Sequence, residues 1–512
     1  MQKEKSQLKI GIVLNYLNMA MGTLIPIFYT PIMLQLLGQN EYGLYKLSGS
    51  VTSYLNLISL GLGSAVSRYL IKAKVEQGED AEERTLGLFV IVFQIIAVVS
   101  FIFGVILVFN LHLWYDVSLT VEELNKMRII VFVLVCNTAI SFAVSPYMSV
   151  VSTHEKFVFL QVMNIFSTCM TPIVNLMMLC LGYKSIGMAV SSLAMSVLGQ
   201  FIYMIYIRKK LNVRAQYRDV PFSMLKEIMT FSFWVFVANI VSQLYNSTDT
   251  VMIGAIPALG TVGVAIYNVG TTFSSLTTTL TIGVSSLMSP KTSKMVFGGA
   301  TNNELTDLAI RVGRLQGYIV TLIVTGFVAF GQPFISWYAG EKYTASYWVA
   351  IFLLIPSMIP LVQSVCLSII TAQNKHKFRS IVYLGIAIIN IIGTWFMMKW
   401  MGVIGAALMT GVATMLGQGI VMNWYYAKKI KLEMRRFWKS LLSLYPIPIC
   451  LCVTVLISSK WINFYNLGTM IVSIMCYTFL YCVLSWKFVL NEYEKSLIVE
   501  PINKLKGKLK KV

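Results

Sequence analysis

"VLGQFIYMIYIRKK", residues 197–210, returns 218 positions later as "MLGQGIVMNWYYAKK", residues 415–429. Aligned at that offset, Gly187 meets Gly405, Ala189 meets Ala407, and Leu198-Gly199-Gln200 meets Leu416-Gly417-Gln418. Ile202 meets Ile420, Met204 meets Met422 and Lys210 meets Lys428. A second pair, "VVSTHEKF" ending at Phe157 and "IITAQNKHKF" ending at Phe378, recurs at nearly the same distance. One match could be chance, but two at nearly the same offset point to an internal repeat. Each copy of the first line is an apolar run that stops on basic residues, and that stop has a physical meaning.

The chain of 512 residues is 57% hydrophobic and 12% charged, where a soluble domain is nearer about 25% charged. Apolar stretches such as 85–109 reach the ~20 residues that a helix needs to cross the hydrocarbon of a bilayer. Soluble folds are excluded. The expected spans are 12–37, 43–71, 85–110, 128–152, 157–182, 185–207, 229–254, 262–289, 315–338, 346–371, 380–399, 402–426, 441–459 and 468–487. The fold class is therefore an all-α polytopic membrane protein with about 14 transmembrane helices, numbered spans 1 to 14 in chain order.

The net charge of +20 does not require nucleic acid, because cytoplasmic loops of membrane proteins collect Lys and Arg. With both termini placed in the cytoplasm, 34 of the 41 Lys and Arg residues fall inside and seven outside. The seven are Lys46, Lys126, Arg128, Lys184, Lys342, Lys399 and Lys460. The basic tail from Lys487 is read as a cytoplasmic end near anionic lipid. Trp114-Tyr115, Trp337-Tyr338 and Tyr347-Trp348 mark the outer boundary, where amphipathic rings prefer to lie. The eight cysteines all sit in apolar stretches and are expected to be buried free thiols, without disulfides or metal. No cleavable signal peptide is expected.

Six helices per repeat put both halves in the same orientation, related by an axis along the membrane normal. The expected organisation is a six-helix bundle over 1–210, a second over 211–430, and an added helix pair with a basic tail over 431–512. Such parallel halves suit a transporter working by alternating access, and a scaffold or channel built by duplication is the other reading. No Walker A, Gly-x-Ser-x-Gly or His-Glu-x-x-His sequence is present. The chain is read as no enzyme, without a cofactor, coupled to a proton or sodium gradient or to the membrane potential.

Ionisable groups inside a bilayer are costly and mark paths or partners. Asp249 lies in span 7 with Gln243, Asn246 and Thr250 nearby, and admits two readings: a hydrogen-bonded packing residue, or a proton or cation site. Arg68 either snorkels to the surface or meets an anionic headgroup in a cavity. Glu41 and Lys46 carry the same two readings. Asn15 and Asn18 share a face of span 1, which Pro26 and Pro31 are expected to bend. Span 8 is crowded with hydroxyls from Thr271 to Ser286, either helix glue or a wall for sugar hydroxyls.

Residues 14–70, with "TPIMLQLLG", "EYGLY" and "LGLGSAVSRY", resemble the polysaccharide-transporter (Wzx-type) branch of the multidrug/oligosaccharidyl-lipid/polysaccharide exporter superfamily. "TDTVMIG", "VAIYNVG" (264–270) and "GVIGAAL" (402–408) continue the likeness. The resemblance implies a MATE/MurJ-like fold and a flippase that carries undecaprenyl-pyrophosphate-linked oligosaccharide from the cytoplasmic to the outer leaflet. Implied partners are that lipid-linked substrate, membrane lipid, and a polysaccharide polymerase with its chain-length machinery. The implied location is the bacterial cytoplasmic membrane. Glu41 and Lys46 fall in the "EYGLY" region, Arg68 ends the "LGLG" segment, and Asp249 precedes "IG". Where family members often read "DLGLG", this chain has Ser59 and Leu60. A lipid II flippase of the MurJ-like branch and an ion-coupled MATE-type drug exporter are the alternatives.

Overall fold

The computed structural model describes residues 2–373, 375–497 and 499–500, so the end of the basic tail lies outside the described residues. Among them the chain is built of helices without strands. Ten helices are long and apolar enough to cross a membrane, and the bent pair Ser346–Val362 and Ser364–Ala372 makes an eleventh. The Phe378–Ile430 stretch counts as one of the ten, yet Gly402 breaks it with φ 57° and ψ −138°, which separates spans 11 and 12. Expected spans 2 and 8 are not among these, so the count of about 14 stands as approximate; span 2 is broken, and span 8 is rich in hydroxyls.

The protein surface is greasy in the way a bilayer demands. Phe28, Phe109 and Phe479 stand 69%, 71% and 68% exposed. Water would penalise this arrangement, whereas lipid tails are as apolar as leucine. The same reasoning corrects the expectation for the cysteines. Cys366 and Cys452 are buried, but Cys180, Cys450, Cys476 and Cys482 are exposed. An apolar stretch in lipid need not face protein.

Span 2 is not one straight helix. Gln39–Ser53 gives way to a 3-10 turn over Tyr54–Ser59, and Leu62–Gln77 follows. Between them Leu60 and Gly61 are both left-handed, at φ 50° and 71°. Gly61 has a second reason to be glycine. A Cβ there would press on the backbone N of Phe236, the Val235 side chain and the Ser232 carbonyl. The "LGLGS" stretch therefore breaks the helix where the Leu225–Ala255 helix lies against it. Span 1, by contrast, runs unbroken through Pro26 and Pro31.

Two compact units result. Residues 1–268 with 394–406 form one, and 269–393 with 407–512 the other. The core of the first gathers Tyr69, Phe89, Phe93 and Tyr203. That of the second gathers Ile369, Tyr425, Tyr426 and Phe437. In the second unit the Arg314 guanidinium grips Glu494 through Nε at 2.6 Å and Nη2 at 3.1 Å. Both side chains are buried. Ser440, Ser443, Tyr318 and Val489 accept its remaining donors. A buried pair satisfied this completely holds the segment after span 14 against span 9. Removing one partner of such a pair costs about 3–5 kcal/mol.

The repeat is written into the backbone. Span 6 ends in a π-helical turn over Ile207–Leu211 and span 12 in one over Tyr426–Ile430. Each is stopped by a left-handed non-glycine residue, Asn212 at φ 53° and Lys431 at φ 64°. Phe159 stacks on Tyr206 with centroids 3.8 Å apart, and Phe378 on Tyr425 at 4.3 Å. It is thus Phe159, two residues beyond the end of "VVSTHEKF", that answers Phe378. The echoed glycines share a cause too. A Cβ at Gly187 would meet Tyr183 and Met178, and one at Gly405 would meet Met401 and the Met397 carbonyl. Gly199 of the opening stretch has open space instead. Gly405→Ala should therefore lower stability by about 1–3 kcal/mol, and Gly199→Ala should change it little. Thermal unfolding of both variants in detergent checks this, and equal melting temperatures would contradict it.

Candidate functional site

The polar residues of the first unit fall into separate groups. Around Asp249, the Leu225–Ala255 helix presents consecutive buried polar residues, Ser247, Thr248, Asp249 and Thr250. Asp249 is 2% exposed. Tyr267, in "VAIYNVG" on the next helix, donates its hydroxyl to Asp249 Oδ2 at 2.5 Å. The Tyr54 hydroxyl lies 2.7 Å from Thr248 Oγ1, and Ser53 Oγ lies 3.1 Å from Ser247 Oγ. Gln243 Nε2 donates to Ser53 at 2.5 Å. The 3-10 turn at 54–59 places Tyr54 here. The break in span 2 and the carboxyl of span 7 thus belong to one hydroxyl-lined cluster. Asn246, on the exposed side of the same helix, bonds Ser242 instead at 3.2 Å.

Glu41 belongs to a second group. Lys126 Nζ donates to Glu41 at 2.8 Å and to Glu122 at 2.8 Å, and Ser185 also donates to Glu41. Glu41 precedes span 2. Burial works against its charged form, but the bonds from Lys126 and Ser185 outweigh this and hold its carboxyl below the usual range. The Gly43 position two residues on lets the chain lie against the Thr261 carbonyl, where a Cβ would collide. The "EYGLY" stretch is therefore a helix-joining device: Glu41 reaches spans 4 and 6, and Gly43 lies against the start of span 8.

Lys46 stands apart from Glu41. It is half-buried, and its ammonium lies 5.6 Å from the centre of the Tyr42 ring. Among the described residues it makes no ion pair. Arg68 is exposed, stacked 4.6 Å over the Phe231 ring, and likewise makes none. Its neighbour Lys72 is paired with Glu227 at 3.4 Å. On span 1, Asn18 accepts from Thr168 at 3.1 Å while Asn15 is exposed. Four of the hydroxyls of span 8 are spent on their own helix. Thr277, Thr278, Thr279 and Thr281 each donate to the carbonyl four residues back at 2.8–2.9 Å. These four therefore serve neither as glue between helices nor as a sugar-binding wall through their donors.

Sequence reading missed Tyr267, Tyr54 and the pairing of Lys126 with Glu41. It also missed a triad built around the buried Glu82. Glu82, 1% exposed, accepts from Lys74 at 2.9 Å. Lys74 Nζ lies 2.7 Å from His154 Nε2, and His154 Nδ1 faces the Val150 carbonyl at 3.0 Å. The last contact makes Nδ1 the donor and Nε2 the acceptor of the lysine proton. These partners lie up to 194 residues apart in sequence, so no local spacing announces most of them.

The architecture is shared with known transporters. The lipid II flippase MurJ in an inward closed conformation matches with a TM-score of 0.74 at 16% identity, over 94% of this chain and 99% of that one. An inward-facing MATE-family multidrug resistance transporter of the MOP superfamily matches with a TM-score of 0.63 at 15% identity, over 81% and 97%. The Vibrio cholerae MATE transporter VcmN in its bent form matches at 0.54 and 14% identity, over 87% and 100%. No curated protein gives a sequence match. The fold is the one these transporters share, and the protein is a multi-pass membrane protein. A profile of the polysaccharide biosynthesis protein family matches residues 32–348, more than half of the chain, and the chain belongs to that family.

The Asp249–Tyr267 bond makes a direct prediction. Tyr267→Phe should lower the unfolding free energy by about 1–3 kcal/mol by removing a donor from a buried carboxyl. Asp249→Asn keeps an acceptor for the Tyr267 hydroxyl and should cost less than about 1 kcal/mol. Thermal unfolding of the two variants in one detergent ranks them, and the reverse order would deny the bond its importance.

Proposed function

We propose that the protein is a flippase that moves undecaprenyl-pyrophosphate-linked oligosaccharide repeat units from the cytoplasmic to the outer leaflet, for synthesis of a surface polysaccharide. It works by alternating access and has no catalytic step of its own. Membership of the polysaccharide biosynthesis family supports the substrate class. The observation that carries the reading further is Lys46, a half-buried cation with no carboxylate partner among the described residues. A pyrophosphate is the group such a charge suits, because charge-assisted bonds to phosphate are about twice as strong as neutral ones. Arg68, exposed and unpaired, is a second candidate contact. Asp249 is the candidate for coupling to a proton or sodium gradient. The proposed setting is the bacterial cytoplasmic membrane with both termini inside. The bundles 1–210 and 211–430 move against each other, the pair 431–512 is appended, and a polymerase with chain-length machinery follows as partner. The likeness to MurJ concerns the fold and leaves lipid II as the competing substrate.

The test is a clean deletion in a strain without a redundant gene. Lipid-linked repeat units should accumulate on the cytoplasmic leaflet, and normal surface polysaccharide would sink the proposal. In the complemented strain, Lys46→Gln should slow flipping roughly 10- to 100-fold, matching the loss of about 1.5–3 kcal/mol for one charge-assisted bond. Asp249→Asn should insert normally yet lose gradient-driven flipping. Wild-type flipping by that variant would reduce Asp249 to a packing residue.

A further inference from the structure

The basic end of "VLGQFIYMIYIRKK" borders an open cavity of about 370 Å³, within the size range of small-ligand sites. Its polar walls are Tyr147 from span 4, Arg208 from the π-helical turn, and Arg214 and Tyr217 from the following loop. Met204 and Ile207 add an apolar side.

The loop is held in place. Asn212 takes the left-handed turn and Val213 is buried. The Arg214 backbone N donates to Glu83 Oε1 at 2.9 Å, and the Gln216 N donates to the Glu83 carbonyl at 3.0 Å. Span 3 has Gly87 where the Gln216 carbonyl comes to rest. The two arginines are therefore carried on fixed backbone. No carboxylate lines the cavity, and neither guanidinium makes an ion pair among the described residues. Tyr147 and Tyr217 both line it, which brings two phenol groups to the same cavity. Paired guanidinium forks with hydroxyl donors beside them match the oxygen array of a phosphate.

The repeat supplies an internal control. At the corresponding positions 219 residues on, the second half has Cys366, Ala427, Glu433 and Arg436. One arginine has become a methyl group. The other has become a carboxylate, which is paired with Arg436 at 3.3 Å. The residues that make the cavity cationic in the first half are thus not repeated in the second.

We infer that this cavity binds the phosphate group of a lipid at the basic end of the first bundle. Two sources share that chemistry: an anionic phospholipid headgroup, and the pyrophosphate end of a polyprenyl-linked substrate. Only the second rests on the function proposed above.

Purified full-length protein in an uncharged detergent is titrated with dihexanoyl phosphatidylglycerol, farnesyl pyrophosphate and inorganic pyrophosphate, with binding read by native mass spectrometry. At least one of the three should bind saturably. The double variant Arg208→Gln/Arg214→Gln should weaken that binding at least 10-fold. Lys209→Gln/Lys210→Gln removes the same charge from the same turn, but its residues do not line the cavity, so it should change binding less than 3-fold. Tighter binding of phosphatidylglycerol identifies a structural lipid site. Tighter binding of farnesyl pyrophosphate identifies a substrate-facing one. Tighter binding of inorganic pyrophosphate supports the phosphate site and removes the need for a lipid tail. Equal weakening by both double variants, or no saturable binding, overturns the inference. Because all four substituted side chains are exposed, folding should survive, and circular dichroism checks it.

Discussion

A peptide group in hydrocarbon has no water to bond, so each N–H and C=O must be satisfied within the protein. Everything else in this chain is arranged around that constraint. It explains why the described residues form helices and no strands, and it limits where a helix can break. The break at Leu60 and Gly61 lies against Ser232, Val235 and Phe236. That at Gln363 sits among polar side chains: Ser364 Oγ donates to Gln316 Oε1 at 2.8 Å, and Gln363 Nε2 donates to Asn423 Oδ1 at 2.8 Å. Asn423 in turn reaches back to the carbonyls of Gln418 and Gly419. Both breaks lie where neighbouring protein packs against them.

The two halves obey the same constraint with different residues. Backbone landmarks recur at 218 or 219 positions: the π-helical turns, the left-handed stops, the stacked rings and the crowded glycines. Lys184 at φ 46° and Gly402 at φ 57° are one more such pair, and the shared geometry there has outlasted the residue type. Side-chain chemistry has diverged much further. Gln200 bridges Ser141 and Ser196 at 3.0 and 3.1 Å. Its echo Gln418 is half-buried in a π-helical turn. Backbone geometry is fixed by packing in a bundle, whereas a hydroxyl or amide can be exchanged once a neighbour supplies the bond.

This difference decides what could be read from the sequence. The spans were legible because hydrocarbon thickness imposes a length and a composition. The repeat was legible in part because crowding holds Gly187 and Gly405 in place, whereas Gly199 in the matching "LGQ" has open space. The break in span 2 was harder to see, since "LGLGS" is apolar throughout and hydropathy does not register a left-handed pair. The hydroxyls of span 8 looked available in composition, yet back-bonding to their own helix consumes four of the donors. Candidate residues such as Asp249, Glu41 and Lys46 stood out as charges in apolar stretches. Their partners did not, because Tyr267, Lys126 and Ser185 come from other helices, and only the packed bundle brings them within bonding distance.

The charge map of the first unit is best read by subtraction. Lys72 is answered by Glu227, Lys74 by Glu82, and Lys126 by Glu41 and Glu122. An anion approaching any of these must first compete with a carboxylate already in place, and for the nearly buried Glu82 that competition would strand a charge out of water. Lys46, Arg68, Arg208 and Arg214 are different, since no carboxylate pairs with them among the described residues. A cation held by aromatic faces or by fixed backbone keeps its charge available to a ligand. The basic residues named here thus divide into two populations: cations paired with carboxylates, which hold helices together, and cations that no carboxylate among the described residues neutralises.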